Sequence, residues 1–215
     1  MAKLSRRKTK PRRVVLQRKT TEVTISVDFN IDGYGKTDIQ TGFEPLSHLL
    51  TLFAFHGLFD LKLSAQGDLE HHIIEDIGIV LGKAFRDSLG DMSGINRYGS
   101  FSATMDKVVV EADIDLSGRP SMHREVSAGN KTKVENILTH ETFDNTDFNF
   151  KHAEEFLGAF VQHAGISFVY NIKSGEGDLH HLLEALFKAL GKALDQATQI
   201  DPRRHGVPST KGVID

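Results

Sequence analysis

The feature of this 215-residue chain that most limits its fold is an internal repeat. Residues 71–85 read HHIIEDIGIVLGKAF and residues 180–194 read HHLLEALFKALGKAL, so the two copies lie 109 positions apart, half the length of the chain. The identical positions are His71/His180, His72/His181, Glu75/Glu184, Leu81/Leu190, Gly82/Gly191, Lys83/Lys192 and Ala84/Ala193. A pattern repeated at this distance predicts two halves with the same fold.

Each half has the same order of predicted elements. An alternating apolar stretch that ends in glycine occurs in both halves, and period-two alternation is typical of half-buried strands. The closing helices have apolar residues at helical spacing, which gives each of them one apolar face. The predicted elements are an alternating strand (24–35 and 107–118), a helix (45–56 and 152–164), a strand (58–66 and 166–173) and a helix that starts at the paired histidines.

This order of elements predicts an α+β fold. We expect an internally duplicated half-domain, in which each half is a mainly antiparallel sheet with helices on one face. The predicted organisation is a flexible basic arm (1–13), a first half (14–99) and a second half (100–215), packed as one domain because neither half would bury much alone. The polar segment 122–148 is interpreted as an irregular link.

The composition excludes several classes of protein. No run of 18 apolar residues exists, so no membrane span is predicted. The chain has no cysteine, which excludes a disulfide framework, a zinc finger and a thiol nucleophile. The N-terminus is basic but has no apolar stretch behind it, as a secretory signal would. We therefore expect a soluble cytoplasmic protein.

The net charge of −3 conceals an asymmetry along the chain. Residues 1–19 hold nine basic groups and no acidic group, and the remaining residues hold 17 basic against 29 acidic groups. A basic arm can bind nucleic acid or an anionic surface. No aromatic residue is interleaved with these charges to stack on bases. We interpret the arm as a solvated tail that leads into the first strand, and expect neither nucleic acid nor a membrane as a partner.

The paired histidines carry the clearest chemical signal. On a helix, a glutamate three or four residues after a histidine shares its face. Imidazole with carboxylate suits Mn, Fe, Co, Ni or Zn and argues against calcium. Adjacent histidines diverge by about 100° around a helix. The two histidines of a pair can therefore bind one ion only where the start of the helix is frayed, and binding of two separate ions is an equally open alternative. One such motif is more often a surface pair of histidines, but two copies at corresponding places favour a metal site. The candidate ligands are His71, His72, Glu75, His180, His181 and Glu184.

The repeat indicates one further ligand in each half. His48 lies five residues before Phe53, and Glu155 lies five residues before Phe160, at the same place in the first helix of each half. A carboxylate can replace an imidazole in a site for hard or borderline ions. The competing interpretation of Glu155 is a solvated helix face beside Glu154.

A second pattern indicates recognition of an anion. The segments 90–99, 115–120 and 208–212 each combine small, flexible residues with one cation. Arginine binds phosphate through two parallel hydrogen bonds. Each segment alone is weak evidence for anion binding, because such sequences also form ordinary turns. Three of them together suggest a phosphate clamp. The candidate residues are Arg97, Arg119, Ser209, Thr210 and Lys211.

Taken together, these motifs resemble the imidazoleglycerol-phosphate dehydratase family of histidine biosynthesis. The resemblance rests on the two HHxxE elements, DLSGRP, GINRYG, HGLFDL, FKAL and PSTKG, and covers residues 14–215. It implies a hydro-lyase that removes water from imidazole-glycerol phosphate to give imidazole-acetol phosphate. It also implies trimers that assemble into a cage of 24 subunits, with two Mn²⁺ ions per active site held at subunit contacts. Other divalent transition metals are compatible with these ligands.

The resemblance also implies roles for individual residues. The proton that is lost does not lie next to a carbonyl, so a metal on a ring nitrogen would favour the deprotonated imidazole, which can expel the neighbouring hydroxyl. A carboxylate would then take the C–H proton. By resemblance, the metal ligands are His48, His71, His72, Glu75, His180, His181 and Glu184, the phosphate contacts are Arg97, Arg119, Ser209 and Lys211, Lys188 lies near the substrate, and Glu22 is the base.

The chain departs from the family pattern near these residues. Ser47 replaces an aspartate before His48, Glu155 stands where the family has a histidine ligand, and Lys107 replaces a glutamate. The loop before His71 is also shorter. Two interpretations follow: an active metal-dependent dehydratase with an altered ligand set, or a divergent, non-catalytic or repurposed paralogue that binds metal and a phosphorylated ligand. The intact base and phosphate clamp favour the first, whereas Lys107 and the short loop favour the second.

Overall fold

The computed structural model describes residues 11–214 of the chain. Residues 1–10, which hold most of the predicted basic arm, lie outside the described residues. Within the described range, no helix is both long enough and apolar enough to cross a membrane.

Each half of the sequence forms one four-stranded sheet. The strands are β1 (Arg13–Lys19), β2 (Val23–Asn30), β3 (Thr37–Gln40) and β4 (Asp60–Gly67) in the first sheet, and β5 (Tyr98–Met105), β6 (Val108–Asp115), β7 (Ser121–Val126) and β8 (Ser167–Gly175) in the second. The strand order is β1-β2-β4-β3 in one sheet and β5-β6-β8-β7 in the other. In each sheet the first two pairs are antiparallel and the last is parallel. The predicted duplicated α+β fold with mainly antiparallel sheets is confirmed.

The helices lie between the two sheets. They are α1 (Glu44–Gly57), α2 (Glu70–Ser88), α3 (Lys131–His140), α4 (Phe150–Ala164) and α5 (Leu179–Thr198), with a 3₁₀ turn at Phe143–Asn145. Helices α1 and α2 pack on the first sheet, and α5 packs on the second. Across the middle of the molecule, α1 packs on α5 and α2 packs on α4. One continuous apolar core therefore joins both halves.

The repeated glycine of each closing helix allows the two halves to approach closely. A Cβ added to Gly191 would lie 2.4 Å from the carbonyl oxygen of Phe53, and one added to Gly82 would lie 2.6 Å from the carbonyl oxygen of Phe160. A side chain at either place would collide with the backbone of the facing helix. The first helix of each half is thus held against the closing helix of the other half, and a site on a closing helix draws residues from both halves.

The predicted strands follow the alternation of the sequence. In β2, Val23, Ile25, Val27 and Phe29 are buried and the residues between them are more exposed. The same pattern recurs in β6. Each buried set faces the helices, as period-two alternation predicts.

The interpretation of residues 122–148 as an irregular link is wrong. The segment contains most of β7, which pairs in parallel with β8, and the whole of α3. Strand β7 is an edge strand whose residues alternate between exposed and half-buried, so it carries no apolar run. Helix α3 buries only Val134, Ile137 and Leu138, a single narrow stripe. Its otherwise polar composition conceals the helix.

The basic residues 13–19 are not a solvated tail, because they form the first strand. Strand β1 begins at Arg13, and Arg13 donates two hydrogen bonds to Asp28 on the neighbouring strand, of 2.7 and 2.6 Å. Arg18 lies 2.9 Å from a carboxylate oxygen of Asp76 on α2. These arginines therefore belong to the folded domain.

Candidate metal centre and phosphate pocket

A histidine of the first half meets the closing helix of the second half. His48 on α1 donates a 2.6 Å hydrogen bond from Nε2 to Glu184 Oε1 on α5, and His180 Nε2 lies 3.1 Å from the same oxygen. The ligand atoms of these three residues lie within 4.8 Å of one another, and this is the only such group of three found within residues 11–214. We call it the His48 triad. Its geometry follows from the packing of α1 on α5.

Glu184 is a buried carboxylate with several hydrogen-bond donors around it. Its side chain is 8% exposed, and Lys188, one helical turn further along α5, donates a 2.7 Å hydrogen bond to Oε2. Burial alone would raise the pKa of Glu184, but the hydrogen bonds from Lys188, His48 and His180 outweigh it and lower the pKa to about 2. Glu184 is therefore an anion ready to bind a cation at neutral pH.

His180 is oriented by residues of the 3₁₀ turn. Its Nδ1 lies 2.8 Å from Asp144 Oδ2, and its ring stacks on Phe143 with 4.4 Å between ring centroids. Burial would lower the pKa of His180, but the hydrogen bonds to Asp144 and Glu184 raise it. A carboxylate on one nitrogen of an imidazole is the usual support for metal binding through the other nitrogen. Here that other nitrogen is Nε2, which faces Glu184.

The corresponding residues on the closing helix of the first half and on the first long helix of the second half lie together at a second cavity. His71 and Glu75 on α2 and Glu155 on α4 line a cavity of about 490 Å³, together with His163. Glu155 Oε2 is buried without a hydrogen-bond partner, and its Oε1 lies 3.8 Å from Lys151 Nζ. A buried carboxylate oxygen without a partner is costly, and a cation in this cavity would satisfy it. We call His71, Glu75 and Glu155 the Glu155 cluster. His163 is not counted in it, because its Nδ1 is hydrogen-bonded to the carbonyl oxygen of Ala159 within α4, at 2.9 Å.

The second histidine of each pair faces away from these two groups. His72 Nδ1 lies 2.9 Å from Asp68 Oδ1 and 4.0 Å from Glu22 Oε2. His181 Nδ1 lies 2.6 Å from Asp178 Oδ1, and its Nε2 lies 3.1 Å from Asp106 Oδ2. The hydrogen bond to Asp68 raises the pKa of His72. Within one chain, the two adjacent histidines of each pair thus contact different groups of residues, as their divergence around the helix predicts.

The predicted phosphate clamp comes together in one pocket. A cavity of about 250 Å³ is lined by Arg97, Arg119, Ser209, Thr210 and Lys211, with Ser117 and Tyr98. Arg97 is held in place by hydrogen bonds of 2.6 and 3.0 Å to Asp115 and by a bond to the carbonyl oxygen of Pro208. Three segments distant in sequence thereby bring cations and hydroxyl groups to one concave surface.

The remaining predicted residues lie near these groups. Glu22 is exposed directly before β2, beside His72. Lys188 is tied to Glu184. Ser47 accepts a hydrogen bond from the backbone of Thr41 and so belongs to the start of α1. Lys107 is exposed at the turn between β5 and β6, next to Asp106.

Several acidic partners of the histidines were missed in the sequence. Asp68 precedes His72 by four residues and Asp178 precedes His181 by three, a spacing that could have identified both. Asp106 and Asp144 reach their histidines from distant turns, and both have left-handed backbone conformations. Local spacing contains no signal for these two contacts.

The comparisons with known proteins identify the family. The family model described as imidazoleglycerol-phosphate dehydratase matches residues 41–194. The chain belongs to the imidazoleglycerol-phosphate dehydratase family. Imidazoleglycerol-phosphate dehydratases are hydro-lyases, so the chain is an enzyme of that class. This result favours the first of the two interpretations over a non-catalytic paralogue.

Individual members of the imidazoleglycerol-phosphate dehydratase family match over almost their whole length. A dehydratase of Pelobacter propionicus is 47% identical over 206 residues, which cover 94% of this chain and 99% of that protein. One of Thermoanaerobacter pseudethanolicus is 45% identical and is covered completely. The crystal structure of the Pyrococcus furiosus enzyme in complex with (S)-C348 is 33% identical, with a TM-score of 0.73 over 92% of this chain and 99% of that chain. The Staphylococcus aureus enzyme is 32% identical, with a TM-score of 0.71 over 87% of this chain and 100% of that chain.

Proposed function

We propose that this chain is a metal-dependent dehydratase that converts imidazole-glycerol phosphate to imidazole-acetol phosphate and water in histidine biosynthesis. The observation that carries the proposal is the His48 triad, three metal-ligating side chains brought together from two halves of a member of this family. The phosphate pocket supplies the second requirement of such a substrate. A cytoplasmic location, and the absence of nucleic-acid and membrane partners, remain predictions.

The two ligand groups fit a divalent transition metal. Imidazole and carboxylate donors suit Mn²⁺, and two ions per active site is the proposed content, with other divalent transition metals as alternatives. The orphaned Glu155 Oε2 supports a cation at the Glu155 cluster, and the Asp144–His180 contact supports one at the His48 triad. When bound, such an ion acts as a Lewis acid that makes the imidazole ring of the substrate more acidic. The proposed ligands are His48, His71, His72, Glu75, Glu155, His180, His181 and Glu184.

The phosphate pocket would hold the other end of the substrate. Arg119 and Lys211 present positive charge, and Ser209 and Thr210 present hydroxyl donors to the same cavity. Arg97, already held by Asp115, lines the same cavity and would not have to be ordered on binding. Binding the phosphate here would orient the substrate and restrict its motion.

Glu22 is the proposed catalytic base. As a carboxylate it can accept the C–H proton of the substrate on Oε2, the oxygen that lies 4.0 Å from His72 Nδ1. The hydroxyl group of the substrate leaves as water after taking a proton from solvent, the proton held by Glu22 returns to solvent, and the resulting enol becomes the ketone. Lys188 is proposed to lie near the substrate, with Nζ held by Glu184 on one side.

The outward-facing second histidines support assembly through the metal sites. His72 and His181 are partly exposed and do not join the ligand groups of their own chain, so each is able to complete the site of a neighbouring subunit. The proposed assembly is a cage of 24 subunits built from trimers. Light scattering before and after chelation with EDTA tests this, because loss of metal should lower the mass of the particle, and an unchanged mass would contradict metal-linked assembly.

A turnover assay tests the proposed function. Metal-stripped protein is given imidazole-glycerol phosphate with and without added Mn²⁺, and formation of the ketone is followed. We expect activity only when the ion is restored. Protein that takes up Mn²⁺ but shows no turnover would support the repurposed paralogue, and full activity in the presence of a chelator would refute the metal dependence.

A further inference from the structure

The two ligand groups occupy equivalent places but offer different donors. The His48 triad has two imidazoles and one carboxylate, whereas the Glu155 cluster has one imidazole, His71, and two carboxylates, Glu75 and Glu155. The difference lies at one pair of positions, because His48 and Glu155 occupy the same place in the first helix of their halves. Any donors from His72 and His181 of neighbouring subunits would add one imidazole to each site and leave this difference unchanged.

The two groups also differ in how closely their ligand atoms lie together and in how well their histidines are oriented by hydrogen bonds. The ligand atoms of the His48 triad lie within 4.8 Å of one another, and Asp144 orients His180. Neither ring nitrogen of His71 has a hydrogen-bond partner among the described residues, and Glu155 Oε1 faces Lys151 at 3.8 Å. The Glu155 cluster therefore has the weaker support for its single imidazole.

We propose that Glu155 makes the two metal sites of this enzyme unequal. The His48 triad prefers ions that favour nitrogen ligands, such as Zn²⁺, and the Glu155 cluster binds these ions more weakly and better tolerates oxygen-seeking ions, such as Mn²⁺. Glu155 is then the residue that determines metal selectivity in one site of the pair. The inference rests on the proposed function, because it requires that both groups bind metal.

Displacement of one ion by another tests the inequality directly. The intact full-length protein is loaded with Mn²⁺ and dialysed against rising concentrations of Zn²⁺ at fixed Mn²⁺, and both metals are measured per chain by elemental analysis. We expect Mn²⁺ to leave in two equal steps, separated by about ten- to a hundredfold in Zn²⁺ concentration, the size of effect seen when groups around a metal ligand change.

Two reciprocal variants serve as matched tests. In Glu155→His, the Mn²⁺ ion that leaves at high Zn²⁺ concentration in the wild-type protein should leave at the low concentration instead, so that both Mn²⁺ ions leave in one step. His48→Glu should move the low-Zn²⁺ step to the high concentration. If one of the two variants does not fold, as judged by circular dichroism, the other variant and the wild-type titration still decide the question.

Single deletions of a carboxylate assign the steps. Glu184→Gln should remove the step at low Zn²⁺, and Glu75→Gln should remove the step at high Zn²⁺. A single step in the wild-type protein, or two unchanged steps in Glu155→His, would overturn the inference and leave the proposed function intact. Wild-type protein that binds no metal at all would overturn the proposed function and the inference with it.

Discussion

The two halves of the molecule share a scaffold but differ in the side chains that carry chemistry. Gly82 lies against Phe160 and Gly191 lies against Phe53 at almost the same distance, so the contact between the halves is nearly symmetric. The proposed ligand positions on these helices are not symmetric, because Glu155 occupies in the second half the place that His48 occupies in the first. Close backbone packing leaves room only for glycine, whereas a ligand position at the rim of a cavity can change its donor. The comparison shows where a duplicated fold is free to specialise.

A longer connection in the second half adds to this difference. Residues 41–43 join β3 to α1 in the first half, whereas residues 127–149 join β7 to α4 in the second. The longer connection contains α3 and the turn that brings Asp144 to His180. The orientation of His180, a proposed metal ligand, thus depends on a segment that the first half does not have.

The largest expected effect concerns the residues directly before the second strand of each sheet. Glu22 precedes β2 and Lys107 precedes β6, so a carboxylate in one half corresponds to a cation in the other. Glu22→Gln should lower turnover by about 10²–10⁴-fold, because a general base is lost, while metal content and substrate binding are retained. Steady-state kinetics together with elemental analysis measures both.

Lys107→Gln is the matched variant. It changes the corresponding position of the other half and should leave turnover almost unchanged. A comparable loss of turnover in both variants would show that Glu22 and Lys107 both contribute to catalysis. It would contradict the difference that we infer between these two positions. Normal turnover in Glu22→Gln would remove Glu22 from the role of base.

The next effect concerns the acid stability of the His48 triad. The pKa of Glu184 is lowered to about 2 from its ordinary value of 4.5 by hydrogen bonds from Lys188, His48 and His180. The charged form therefore stabilises the folded state, with the full contribution present above pH about 4.5 and lost as the pH falls towards about 2. This contribution amounts to up to about 3 kcal/mol.

Urea denaturation of the metal-free protein at several pH values measures this contribution. The wild-type free energy of unfolding should fall between pH 5 and pH 3 more steeply than that of Glu184→Gln, at the same protein concentration in EDTA. Identical pH dependence in the two proteins would show that Glu184 does not stabilise the folded state through its charge.

A smaller effect is expected in the phosphate pocket. Lys211→Ala removes one charge-assisted hydrogen bond and should raise KM about 10- to 100-fold, which corresponds to about 1.5–3 kcal/mol, with a smaller change in kcat. Lys83→Ala, which removes an exposed lysine of α2, is the control. An unchanged KM in Lys211→Ala would place the phosphate elsewhere.

Much of the fold could be predicted from the sequence, because the relevant signals are local. The alternation in β2, the helical spacing from His71 and the repeat itself are each contained in short stretches of chain. Strand β7 and helix α3 could not be recognised, because an edge strand and a helix with one narrow apolar stripe have the composition of a loop. Their stability comes from partners elsewhere in the chain, such as β8.

The candidate site, like the fold, has one part that the sequence spacing reveals and another part that it does not. The paired HHxxE motifs and the His48/Glu155 correspondence were accessible from spacing. What spacing cannot show is that His48 joins the closing helix of the other half, because that contact depends on how α1 crosses α5. The pairing of Asp144 with His180 is hidden for the same reason, since it depends on a turn 36 residues away.

The smallest expected effect tests the symmetric part of the comparison. Gly82→Ala and Gly191→Ala each place a methyl group against the backbone of the facing helix, where the added Cβ would lie 2.6 and 2.4 Å from a carbonyl oxygen. Alanine favours a helix interior over glycine by about 1 kcal/mol, but overpacking costs about 1–3 kcal/mol. The net loss in the free energy of unfolding should therefore be up to about 2 kcal/mol in each variant, and urea denaturation at fixed protein concentration measures it. Because the two contacts are nearly equivalent, the two losses should be similar. A gain in stability in one variant alone would show that the scaffold, like the ligand positions, has diverged between the halves.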